Sequence, residues 1–187
     1  MVGLKKISES WKKLTSGTWG IVIYAILGVL AAFALNRFLG FALQTDLPVV
    51  AVVSSSMQHN SPELTHYGWL EKNLQYNRSY IDSWPFKDGF LIGDMPVVQG
   101  NTKINVGDVV VYAARGSATC QAPSTPIIHR VIKINPQGTY QTKGDNNNLQ
   151  ICYEYDVAPE QVAGKVIFII PKLGYFKVFA TKIFGVF

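Results

Sequence analysis

From Trp19 to Leu35 the chain carries no charged residue, and after Asn36 and Arg37 the apolar run resumes from Phe38 to Leu43. At 1.5 Å rise per residue, a helix over this stretch approaches the roughly 30 Å of a bilayer's hydrocarbon core. A membrane anchor over residues 19–43 is therefore expected, Asn36 and Arg37 being either a snorkelling pair near the far interface or the true end of the span. The run is longer than the apolar region of a cleaved secretory leader, which favours a retained anchor. The pattern then changes to short apolar runs punctuated by turn residues. Val49 to Val53 reads as a buried strand that delivers Ser54-Ser55-Ser56-Met57 to a turn.

Residues 58–89 form a polar and aromatic stretch, with helical character over Glu63 to Gln75. Its aromatics, Tyr67, Trp69, Tyr76, Tyr80, Trp84 and Phe86, argue against disorder. β-structure is expected from Phe90 onward. Phe90 to Asp94 opens a strand, Val109 to Tyr112 forms another, and residues 113–126 form a loop. Ile127 to Ile134, the turn Asn135 to Gly138, and Thr139 to Lys143 form a hairpin. Pro159 to Ile170 closes the sheet through Gly164 to Phe168. Lysines five residues apart in 171–187 rotate by about 140° per step on a helix and share no polar face. That tail is expected to lie at a membrane interface, the alternative being a packed terminal helix.

Charge refines this layout. The net charge of +5 is concentrated at the ends: four lysines against one acid precede Trp19, and four lysines with no acid follow from Lys165 onward. Such ends suit an anionic membrane surface, and the middle offers no basic stripe for nucleic acid. By the positive-inside rule residues 1–18 form a cytoplasmic tail, and 44–170 form a domain outside the cytoplasm. A chain of 187 residues has room for this one domain and an anchor.

The candidate chemistry lies in four motifs. Ser54-Ser55-Ser56-Met57 offers Ser56 as nucleophile, which requires a base and oxyanion donors. Gly107-Asp108-Val109-Val110-Val111-Tyr112 follows, then His129-Arg130-Val131, then Gly144-Asp145-Asn146-Asn147. In this order the motifs resemble the type I signal peptidases. The likeness is greatest to the archaeal and endoplasmic-reticulum branch, which has His where bacterial enzymes have a general-base Lys.

The resemblance runs from Ser54 to about Lys172 and implies a mostly β catalytic domain, a β-barrel or sheet. It implies no cofactor, signal-peptide-bearing preproteins as substrates, and small residues at the first and third positions before the cut. It also implies Ser56 as nucleophile, His129 as general base, and the Ser54 hydroxyl with the Ser56 N–H as oxyanion hole. His59, three residues past Ser56, is a rival base, but a base on a neighbouring strand is held by independent structure.

The sequence departs from the family pattern in two places. Residues 58–89 are an insertion, where the family reaches its next strand within a few residues. The carboxylate expected about six residues after Asp145 is replaced by Ile151. Asp145 is the first candidate to orient His129, and Asp156 the second. Glu154 stands beside Asp156 in the lengthened loop. Cys120 and Cys152 flank the candidate site and could form a disulfide or be two unrelated thiols. His59, His66, His129 and the cysteines show no metal-ligand spacing, so no metal is expected.

Two other functions fit parts of the chain. One is a non-catalytic membrane-tethered module that binds through 58–89. The other is a Ser-His hydrolase of lipids or esters, against which the missing Gly-x-Ser-x-Gly elbow counts.

Overall fold

A computed structural model describes residues 15–175; the basic tail before Thr15 and most of the 171–187 segment lie outside the described residues. The helix and the following domain form two compact units, meeting in sequence at Ala42 and Leu43. Helix α1, Thr18–Leu43, has 26 residues and a length of about 39 Å at 1.5 Å per residue. Its large apolar side chains, among them Trp19, Val29, Phe33, Phe38 and Phe41, are exposed, and only Gly20 is buried. A helix apolar on all sides has no single face to bury in a water-soluble core. This one is long and apolar enough to cross a membrane.

The domain is one antiparallel sheet in the order β1-β5-β2-β3-β4. Its strands are β1 (Met95–Gln99), β2 (Val109–Tyr112), β3 (Ile127–Ile134), β4 (Tyr140–Lys143) and β5 (Val162–Ile170). The chain is thus mostly β behind an N-terminal apolar helix, with the β3–β4 hairpin and the closing strand where the pattern placed them. All four β2 residues are buried because both faces of that strand are covered. Side chains alternate along a strand. Val109 and Val111 pack with Val52, Met57, Phe90, Val98 and Val166, while Val110 and Tyr112 pack with Ile127, Val131 and Val157.

Two expected strands take another form. Val49 to Val53 makes a single bridge, Val49 to Val97. Beyond it, Val50 N–H donates to Pro96 O (3.1 Å) and Val52 N–H to Asp94 O (2.9 Å). The segment is therefore an extended flank of β1. Phe90 to Asp94 is a turn rather than a strand start: Gly93 sits at φ +89° and the Asp94 carboxylate accepts the Leu91 N–H at 2.8 Å. That left-handed backbone favours glycine, so regular pairing begins only at Met95.

The segment 58–89 is partly helical. A π-helical turn, Glu63–Tyr67, runs into α2 (Gly68–Leu74). There Gln75, at φ +57°, ends the helix, and α3 (Arg78–Asp82) follows, its first turn capped by the Asn77 side chain on Tyr80 N–H at 2.8 Å. Leu70, Ile81 and Trp84 pack on Ile132 of β3, so the insertion shares a core with the sheet. Tyr76, Tyr80 and Trp84 meet edge to face, with ring centroids 5.2–5.8 Å apart.

Candidate active site

The serine turn is fixed from both sides. Met57 is buried in the core, and its carbonyl accepts the Phe90 N–H at 2.8 Å. From the other side, Asn146 donates its backbone N–H to Ser56 O (2.8 Å) and its side-chain amide to Ser55 O (3.1 Å). Ser54 and Ser56 thus stand beside each other, with hydroxyl oxygens 3.1 Å apart. Both line a cavity of about 350 Å³, together with Met57, Ile128, His129, Asn147, Ile151 and Tyr153. Residues Pro123, Thr125 and Pro126 of the 113–126 loop line it too. Ser54 is exposed, Ser56 half-buried and His129 buried.

His129 is paired with Val110 in the β2–β3 ladder. Its Nδ1 donates to the carboxylate of Glu154, which is fully buried and closes the 3₁₀ turn Cys152–Glu154. The second carboxylate oxygen of Glu154 accepts the Ile151 N–H at 2.6 Å, so the group is held at both ends. Cys120 and Cys152 form a disulfide, with Cα atoms 6.0 Å apart.

Asp145 and Asp156 are engaged elsewhere. Asp145 receives Arg130 Nε (2.9 Å) and a second guanidinium N–H (2.7 Å), together with His59 Nε2 at 3.0 Å, and His66 Nδ1 lies 3.3 Å away. Asp156 is exposed and accepts the Thr139 hydroxyl. The reason lies in the strand. Successive residues point to opposite faces, so where His129 meets Glu154, Arg130 faces away and captures Asp145 beneath the insertion. Arg130 is fully buried and also donates to the carbonyls of Pro85 (2.7 Å), Phe86 (3.0 Å) and Gly107 (2.8 Å).

The electrostatics follow from this arrangement. Burial opposes ionisation of Asp145, but the Arg130 charge and the bonds from His59, His66 and Arg130 outweigh it and hold the carboxyl well below its usual range. Burial lowers His66 below the ordinary histidine value, against the pull of Asp145. Lys143 donates to Thr65 O (2.6 Å) and Gly144 O (3.0 Å), and burial lowers its ammonium to about 8.

His59, His66 and Asp145 bring candidate ligand atoms within 4.8 Å of one another, a grouping the sequence spacing conceals. The Arg130 guanidinium already neutralises this carboxylate in direct contact. A dication there would meet a spent charge and a buried cation, so the cluster fits a hydrogen-bonded brace better than a metal centre.

The arrangement supplies a hydroxyl pair on a braced turn and an imidazole in the same cavity, its far nitrogen fixed by a buried carboxylate. A hydroxyl and a base of this kind are what nucleophilic acyl transfer requires. No family model matches the chain. The chain is 25% identical over 162 residues, 81% of its length and 76% of the relative's, to the signal peptidase complex catalytic subunit SEC11 of Scheffersomyces stipitis, and this distant similarity supports a signal peptidase family.

Proposed function

We propose that the chain is a membrane-anchored serine endopeptidase that removes signal peptides, with Ser56 as nucleophile, His129 as general base and Glu154 as the carboxylate that orients it. The observation that carries this reading is that Ser56 and His129 line one cavity while Glu154 accepts from His129 Nδ1. With Nδ1–H committed to Glu154, Nε2 is the nitrogen left to take the Ser56 proton as Oγ attacks the scissile carbonyl. The buried carboxylate stabilises the resulting imidazolium, which returns the proton to the leaving amine; water then releases the acyl group by the same path. The Ser54 hydroxyl and the Ser56 N–H receive the oxyanion on a turn already held by Asn146, so little reorganisation is needed.

Asp145 has a structural role in this scheme. It clamps Arg130 and carries the Gly144–Asn147 loop that braces the serine turn. Helix α1 anchors the enzyme with the lysine-rich segment that precedes it in the cytoplasm and the domain outside, where the Cys120–Cys152 disulfide is stable. Tethering enzyme and preprotein to one bilayer raises their effective concentration.

The test is processing of a model preprotein by membranes containing wild type, Ser56→Ala or His129→Ala, with product mass fixing the cleavage site. Loss of processing in both variants with the anchor intact is the expected result. Wild-type processing by Ser56→Ala overturns the catalytic reading and leaves the insertion as a binding surface.

A further inference from the structure

The disulfide lies at one end of the catalytic apparatus. Cys152 opens the three-residue turn whose last member is Glu154, and its partner Cys120 belongs to the loop that supplies Pro123, Thr125 and Pro126 to the cavity wall. Other restraints act on the same segment: the Asn135 side-chain amide donates to Tyr155 O at 3.1 Å, the Thr139 hydroxyl donates to Asp156, and the Ile151 N–H reaches the Glu154 carboxylate at 2.6 Å. On its C-terminal side Val157 exchanges two main-chain hydrogen bonds with Tyr140 (2.8 and 2.9 Å). On its N-terminal side the Gln150 side chain reaches Thr142 O at 3.0 Å. Within it, Glu154 N–H donates to Ile151 O at 2.9 Å. Ile151, Cys152 and Tyr155 are exposed, while Glu154 is fully buried and Tyr153 packs against the Val110 and Tyr112 cluster.

We propose that the Cys120–Cys152 disulfide is a positioning strut for Glu154, and that it makes the site sensitive to dithiol reductants. The inference rests on the catalytic reading of Ser56, His129 and Glu154 given above. A carboxylate that orients a base must be held within about half an ångström of its partner, and among the restraints on this turn the disulfide is the one that reaches the loop lining the cavity. The disulfide ties it across 32 residues to the loop that lines the cavity. The exposed position of Cys152 opens the bond to a thiolate. A small dithiol then passes two electrons and two protons to the cystine. The S–S bond breaks, two thiols form, and the reductant closes to its own disulfide. Freed from Cys120, the turn moves, and Glu154 leaves the His129 Nδ1–H.

The experiment uses the full-length protein in detergent, before and after dithiothreitol, beside the Cys120→Ser/Cys152→Ser double variant. Turnover of a model preprotein gives kcat and KM. Separately, ¹⁵N-histidine NMR follows the imidazole N–H that His129 donates to Glu154, assigned by its loss in His129→Gln. Reduction is expected to lower kcat between about 10-fold and about 10²-fold, the cost of an ångström-scale misplacement, with a smaller change in KM. The His129 N–H signal should broaden or vanish, while circular dichroism stays at its oxidised form. The double variant should match the reduced enzyme and ignore dithiothreitol.

An unchanged N–H signal after complete reduction overturns the proposal, whether or not KM moves. If the oxidised wild type cleaves no preprotein, the peptidase reading fails; the N–H signal still decides whether the disulfide positions Glu154. Should the double variant fail to fold, reduction of the folded wild type decides the question through the same N–H signal.

Discussion

Replacing the three acids one at a time, as Glu154→Gln, Asp145→Asn and Asp156→Asn, separates catalysis from architecture. The Glu154 carboxylate accepts from His129 Nδ1 and from the Ile151 N–H, so its charge bears directly on the imidazole. A glutamine of the same shape keeps an acceptor but loses the charge that stabilises the imidazolium and fixes its tautomer. An isosteric amide at the corresponding position of a Ser-His-Asp triad lowers kcat about 10⁴-fold. A fall of about 10² to 10⁴ is expected here, which is about 3 to 5.5 kcal/mol of transition-state stabilisation. The folded state should change by less than about 1 kcal/mol, since the amide oxygen can keep the Ile151 N–H while its N–H2 donates to Nδ1 of the other His129 tautomer, the one that cannot act as base.

Asp145→Asn acts in the opposite sense. It leaves the fully buried Arg130 guanidinium without its carboxylate, a loss of about 3 to 5 kcal/mol. Its pH signature is also distinct. The folded Asp145 carboxyl is held well below its unfolded value, so the stability it contributes is present above about pH 4 and is lost as pH falls toward the folded value. The asparagine variant should lose part of the wild-type acid dependence. Asp156→Asn, exposed and bonded only to Thr139, should stay within about 0.5 kcal/mol and keep its turnover. The assay pairs preprotein cleavage kinetics with urea unfolding of the same preparations. Loss of turnover in Asp145→Asn at unchanged stability, with Glu154→Gln cleaving at nearly the wild-type rate, refutes the assignment of Glu154.

Ser54→Ala removes one oxyanion donor and should lower kcat about 10²-fold with little change in KM, read from initial rates over a substrate series. Lys143→Met tests the buried ammonium: the folded lysine is lowered to about 8, against 10.5 when exposed, so the unfolded chain binds the extra proton between these values. This group's contribution therefore rises with pH across that window, by about 3 kcal/mol at most, and urea midpoints of the methionine variant should lack that slope. Leu70→Ala opens a cavity between Ile81, Trp84 and Ile132 and should cost about 2 to 5 kcal/mol, whereas the exposed Leu64→Ala should be nearly neutral in the same unfolding measurement.

The linear pattern was enough to determine the apolar helix, because a span without charge needs no tertiary partner to declare itself. It also determined the mostly β domain, since the β-branched apolar run from Val109 to Tyr112 and the turn Asn135 to Gly138 carry strand and turn chemistry locally. Motif order singled out Ser56 and His129 and placed them in separate elements. The partner of His129 was not legible in the same way. Asp145 follows the motif, yet adjacent strand residues face opposite sides, and only the path of the insertion reveals that Arg130 claims Asp145 from one side.

Glu154 comes to the other side on a short turn tied by a disulfide across 32 residues. Both placements depend on contacts between residues far apart in sequence, which no local propensity encodes. The same holds for 58–89, whose aromatics signalled order but whose partner, Ile132, appears only when β3 is folded beneath them. Local spacing decided which groups could do chemistry, and tertiary packing decided which of them meet, because burial and charge neutralisation are properties of the assembled sheet.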